Sequence, residues 1–134
     1  MTPEAFRRGL QASLALLNAG RAAEARPGIE ALIAARPEQP DPYALLGLAL
    51  DQMGDPAAGA QQLRHAIGLN PRQPQYRLQL ARILAAGDPD AAEAELRAAL
   101  QAAPGFPPAA VALADLLTVR DRAGEALAVA VDGP

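Results

Sequence analysis

The 134-residue chain has no cysteine, no lysine and no tryptophan, a single histidine, and aromatic residues at only 3%. Without cysteine there can be no disulfide and no thiolate metal site, and one histidine excludes a histidine-rich metal centre. A sandwich or barrel would draw on more β-branched and aromatic residues than are present. No apolar run approaches the roughly 18 residues that suggest a membrane span. The formal charge of −3 and a pI near 5.1 provide no basic field that would gather nucleic acid or an anionic membrane, so neither is an expected partner. All the basic residues other than His65 are arginine, which suits a GC-rich, bacterial coding bias and carries no functional weight.

What remains is strongly helix-forming. Roughly a quarter of the chain is alanine, and an all-α fold follows from that composition. The length allows one domain over residues 1–134 or a short solenoid. Thr2-Pro3-Glu4 reads as a helix start, with a capping hydroxyl, a proline whose missing N–H is harmless there, and an acid in the first turn. The first helix is expected from about Pro3 to Asn18, where Asn18-Ala19-Gly20 supplies the stop. Arg7-Arg8 and the apolar residues after them imitate a signal peptide, but Glu4 precedes the arginines and Gln11 and Ser13 interrupt the run. A cytoplasmic location is therefore expected. Pro27 stands inside the second periodic segment, so that helix is expected either to kink there or to begin near it after a separate turn.

The most regular stretch is Pro40 to Pro71. Tyr43, Leu46, Gly47 and Leu50 fall at helical spacing, Gly54-Asp55 interrupts, and Leu63, Ala66, Ile67 and Leu69 lead to Asn70-Pro71. The same pattern recurs along the chain. Pro37 and Pro71 are 71 − 37 = 34 apart, as are Gly20 and Gly54, and Leu16, Leu50 and Leu84 follow one another at the same interval. Past Leu84 the turn loses one residue, so Gly54 to Gly87 and Leu63 to Leu96 are each 33 apart. A fourth copy begins at Pro107 and ends before a closing Leu-x-Pro.

An aromatic, Leu-Gly, a large residue, a turn, small and large apolar residues and a closing proline, repeated every 34 residues, resemble the tetratricopeptide repeat (TPR). The resemblance implies an α-solenoid of antiparallel helix pairs coiled into a right-handed superhelix. Its repeats would be 3–37, 40–71, 74–104 and a shortened fourth at 107–131. Tyr43, Leu46, Leu50, Leu63 and Leu69 would fill a hairpin, while Ser13, Gly47, Ala81 and Ala114 would permit close helix approach. Gly9 and Arg77 depart from the pattern where an aromatic is usual, and Gly59 stands in place of the usual alanine.

The resemblance further implies a concave groove lined by the first helix of each repeat. Its positions carry across to Leu10, Leu14 and Leu17, to Ala44, Leu48, Asp51 and Gln52, to Leu78 and Arg82, and to Val111, Asp115 and Thr118. That groove is expected to be apolar at its N-terminal end and charged toward its C-terminal end, suiting a peptide or protein segment. The competing reading covers Leu10, Leu14 and Leu17, with Phe6, by the protein's own N-terminus. Arg82 would either meet a ligand carboxylate or, the favoured reading, be neutralised by Asp51 or Asp115. Leu10 and Leu14 stand where the carboxylate-clamp subclass needs lysine and asparagine, so chaperone-tail binding of that kind is not expected.

Nothing in the sequence assembles a catalytic site. His65 is expected on the outer face without partners, and Asp88, Asp90, Glu93 and Glu95 read as a helix N-terminus rather than a metal site. No cofactor is expected. The leading function is a non-enzymatic interaction module. The alternative is an accessory, substrate-positioning or dimerisation domain of a larger enzyme lying beyond residue 134. The apolar segment from Ala123 to Val131 suggests homodimerisation through the C-terminal edge.

Overall fold

A computed structural model describes residues 1–120. They form seven helices: α1 (Pro3–Asn18), α2 (Ala22–Ala35), α3 (Asp41–Gln52), α4 (Pro56–Leu69), α5 (Pro74–Leu84), α6 (Pro89–Ala102) and α7 (Pro107–Val119). The helices belong to two compact units, Met1–Asn70 and Pro71–Pro134. Each hairpin partner is the neighbour in sequence, with α1 on α2, α3 on α4 and α5 on α6. This is an all-α solenoid of packed helix pairs. The expected C-terminal edge, Ala123 to Val131, lies outside the described residues.

The helix ends follow local chemistry. Proline occupies the first turn of α1, α3, α4, α5, α6 and α7, where its fixed φ favours helix and its lost N–H had no intrahelical partner. The hydroxyl of Thr2 accepts from the Ala5 N–H at 3.0 Å, and the carboxylates of Asp55 and Asp88 accept from Ala58 and Ala91, each at 3.1 Å. At the start of α2 the Arg21 guanidinium pairs with Glu24 and, chiefly through that hydrogen bond, holds the Glu24 carboxyl below its usual range. A lowered folded value means that the pair stabilises the fold above the unfolded carboxyl's titration and loses its effect as pH falls through the folded one. Both side chains are exposed, so the effect is slight.

The turn that loses a residue closes differently from its predecessors. After α1 the Gly20 and Arg21 N–H groups donate to Leu17 and Leu16, and after α3 those of Gly54 and Asp55 donate to Asp51 and Leu50. That double closure needs a left-handed residue, and Gly20 and Gly54 supply it at φ +75° and +90°. After α5, Gly87 and Asp88 both donate to Leu84, and Asp88 reaches back four residues where Asp55 reached back five. Removing one residue thus removes the left-handed step while keeping the aspartate cap on the next helix.

Unit 1 has a core of Leu17, Ala25, Ile29, Leu45, Leu46, Ala49 and Leu50, against which Leu10, Leu16, Ile33 and Leu48 pack in part. Its tightest point is between α3 and α4. A methyl group on Gly47 would stand 2.8 Å from the Gly59 carbonyl oxygen, and one on Gly59 would stand 2.6 Å from that of Gly47. The glycine at position 59 therefore matches the glycine at position 47, and the two backbones touch. In unit 2 the same register holds Ala81 and Ala92, both buried in a core with Leu78, Leu96, Ala99, Ala109, Leu113 and Leu117.

Two readings are corrected by the structure. The second helix does not begin near Pro27; α2 starts at Ala22 and runs through the proline. The hydrogen bond lost there belongs to the Ala23 carbonyl, and both residues lie on the exposed side, where the carbonyl is open to solvent. Leu69 does not fill the hairpin: it is 40% exposed, one turn beyond Ala66, the last buried residue of α4. The two positions that depart from the pattern by lacking an aromatic are filled by other means. A side chain at Gly9 would meet Leu32 at 2.7 Å, and Arg77 reaches Glu95 at 3.0 Å with both side chains mostly covered.

Gly59→Ala should destabilise the protein, because overpacking against backbone costs about 1–3 kcal/mol while the gain in helix propensity is about 1 kcal/mol. Gly68, with open space around it in the same helix, is the control. Gly68→Ala should raise the denaturation midpoint, and chemical denaturation of both variants checks the contrast.

Candidate functional site

The register that builds the core also sets one side-chain position beside the hairpin contact on each first helix. Leu14, Leu48, Arg82 and Asp115 occupy it, spaced 34, 34 and 33 residues apart. One turn earlier stand Leu10, Ala44, Leu78 and Val111. The structure distributes these candidates unevenly.

In unit 1, Leu14 is 44% exposed, while Leu10 and Leu48 are half-buried beside the core. Leu17 is a correction: it is 3% exposed and belongs to the core. It lies three residues beyond Leu14, far enough round the helix to face α2 and α3. Ala44 is likewise buried. Asp51 is exposed, but the Gln52 side-chain amide donates to the Leu17 carbonyl at 2.9 Å, tying the end of α3 to the end of α1. Gln52 therefore acts as a structural tie. Phe6 is buried under the Arg36 guanidinium, 5.0 Å from the ring centroid, and Arg36 also donates to the Met1 carbonyl at 3.1 Å. This N-terminal tie covers Phe6 and leaves Leu14 open.

In unit 2, Leu78 is also a correction, since it is 1% exposed and sits in the core with Ala81 and Leu113. Arg82, Val111 and Asp115 are brought together. They line an open groove of about 800 Å³ between α5 and α7, with Ala85 and Ala86 on one side and Pro107, Pro108, Ala112, Leu116 and Val119 on the other. The α7 residues recur at three- and four-residue intervals and so form one helical face. Sequence reasoning missed the prolines, the alanines, Leu116 and Val119, although those on α7 lie on the same face as Val111 and Asp115, which it named. The hydroxyl of Thr118 donates to its own helix at Ala114, 2.8 Å away. The end expected to be charged thus has an apolar lining with one acid and one base.

The expected neutralisation of Arg82 by Asp115 is not found: no ion pair joins them, and neither has a salt bridge or hydrogen bond among the described residues. Nearby charges are used differently. Arg120, at the end of α7, pairs with Asp90 and reaches Glu93 at 3.1 Å, Arg97 reaches Glu93 at 3.1 Å, and Arg77 holds Glu95. Asp90, Glu93 and Glu95 are thereby committed to arginines, while Asp88 caps α6. His65 lies on the exposed side of α4 with its ring 4.2 Å from that of Tyr43, whose hydroxyl donates to the Pro37 carbonyl at 2.6 Å. No group of acids and histidine among the described residues could hold a metal ion. No helix of the described residues is long and apolar enough to cross a membrane.

The tetratricopeptide repeat profile matches residues 10–74 and again 44–107, and a second profile of the same description matches 83–134. The chain belongs to the tetratricopeptide repeat family. Its TPR structure is similar to that of TTC0263, a thermophilic TPR protein in Thermus thermophilus, at 27% identity and a TM-score of 0.84 over 99% of this chain and 74% of that one. It is similar to MamA at 18% identity and a TM-score of 0.81, over 98% of this chain and 77% of the other. It is also similar to YrrB, described as a TPR protein with an unusual peptide-binding site, at 25% identity and a TM-score of 0.72, over 90% and 64% of the two chains. No curated protein matches the sequence.

Leu17→Ala should lower stability by about 2–4 kcal/mol as a core truncation. Leu14→Asp, on the exposed side of the same helix, should stay within about 0.5 kcal/mol of the parent. Urea denaturation followed by circular dichroism separates the two outcomes.

Proposed function

We propose that this TPR protein is a non-catalytic interaction module that holds a peptide or protein segment on the exposed faces of its first helices. The observation that carries the reading is the groove between α5 and α7, with its apolar lining and with Arg82 and Asp115 free of partners among the described residues. Concave apolar surfaces with a few placed polar groups are the usual form of a recognition site. Leu10, Leu14 and Leu48 give unit 1 an apolar face of its own. The family assignment supports an interaction role, and YrrB is a related chain described by its peptide-binding site.

The reading implies that binding is separable from folding at the exposed positions Leu14 and Val111, which lie outside both cores. A random-peptide display library panned on the full chain should yield enriched peptides. Val111→Asp should weaken their binding at least about tenfold, the loss of roughly 1.4 kcal/mol expected when an apolar contact becomes a buried charge. The helical signal and denaturation midpoint should be unchanged. Absence of any enriched peptide, or enriched peptides indifferent to both Val111→Asp and Leu14→Asp, would contradict the proposal.

A further inference from the structure

Beneath the groove lies a second, smaller space of about 70 Å³. The buried residues Ala81, Ala92 and Leu96 close its base. Its mouth is formed by Ala85, Ala112 and Leu116, which also line the groove. The two spaces therefore share a border. Small residues create the lower one: alanine at 81, 92 and 112 leaves a gap between α5, α6 and α7 that longer side chains would fill. The crevice is walled by aliphatic groups apart from Arg82, so it accepts an apolar side chain and would leave a polar one without partners.

Arg82 lines both the crevice and the groove, whereas Asp115 lines only the groove. Of the two charged residues, Arg82 is thus the one nearer the crevice, within reach of a group that neighbours whatever enters it, and Asp115 is the one farther away. Both charged side chains are exposed and lack an ion pair among the described residues, so each is available to a partner of opposite sign.

We propose that the α5–α7 groove recognises a segment carrying an aliphatic anchor residue with a carboxylate one or two residues away, the anchor entering the crevice and the carboxylate meeting Arg82. A basic residue farther along the segment faces Asp115. This specificity rests on the peptide-binding reading above and goes beyond it by stating which residues the site selects. Complementary charges fix register and exclude competing segments, while the apolar anchor supplies contact area.

The test uses the full chain and synthetic versions of the peptides enriched by display. Enriched sequences should share a Leu, Ile, Val or Met next to an Asp or Glu. Arg82→Glu should weaken such a peptide by about tenfold or more, as expected for a hydrogen bond to a charged group. Replacing the peptide's acid by lysine should restore binding to Arg82→Glu and weaken binding to the parent. Ala85→Trp, an exposed position at the mouth of the crevice, should block the anchor without altering the denaturation midpoint. Enriched peptides that lack the acid, or that bind Arg82→Glu and Ala85→Trp as well as the parent, would overturn this specificity and leave the peptide-binding reading standing. A library that yields no binder overturns both.

Discussion

The structure depends on how closely the two helices of a hairpin can approach. At Gly47 and Gly59 the backbones meet so tightly that either methyl group would stand within 2.8 Å of a carbonyl oxygen. At Ala81 and Ala92 the same register is kept with one carbon on each side. Dispersion and burial fall off steeply with separation, so small residues at the crossing allow the flanking leucines to interdigitate. Ile29, Leu63, Leu80 and Leu113 are essentially inaccessible to solvent as a result.

That constraint also determines where the surface is available. With one side of each first helix committed to its hairpin, the residues one third of a turn away must face outward, and four of them share a register position. In unit 1 that position is leucine, and in unit 2 it is Arg82 and Asp115. The groove therefore follows from the packing: the spacing that buries Leu78 and Leu113 is the one that presents Arg82, Val111 and Asp115 to a common space.

Much of this was legible in the residues. The 34- and 33-residue spacing of prolines, glycines and leucines located the three hairpins of the described residues, and Thr2 and the acidic stretch from Asp88 marked helix starts that the structure retains. The candidate site was less legible, because the family pattern assigns a face without resolving its edges. Leu17 and Leu78 lie at the border between groove and core, where a rotation of a few tens of degrees decides burial, and both turn inward. Gln52 was carried into the groove by the family pattern, and its bond to the Leu17 carbonyl, across 35 residues of sequence, had no local signal. Pro27 misled for another reason, since its penalty falls on an exposed carbonyl and the helix continues through it. The crevice under the groove had no sequence signal, as it is made by alanines whose importance lies in the space they leave.

Recognition is proposed on the α5–α7 face of unit 2, since Asp90, Glu93 and Glu95 of α6 are already held in arginine pairs. Amide chemical-shift mapping of the full chain with a display-enriched peptide tests this most directly. The largest changes should fall on Arg82, Ala85, Val111, Ala112, Asp115 and Leu116. Changes centred instead on the exposed side of α4 or α6, with those groove amides unmoved, would contradict it.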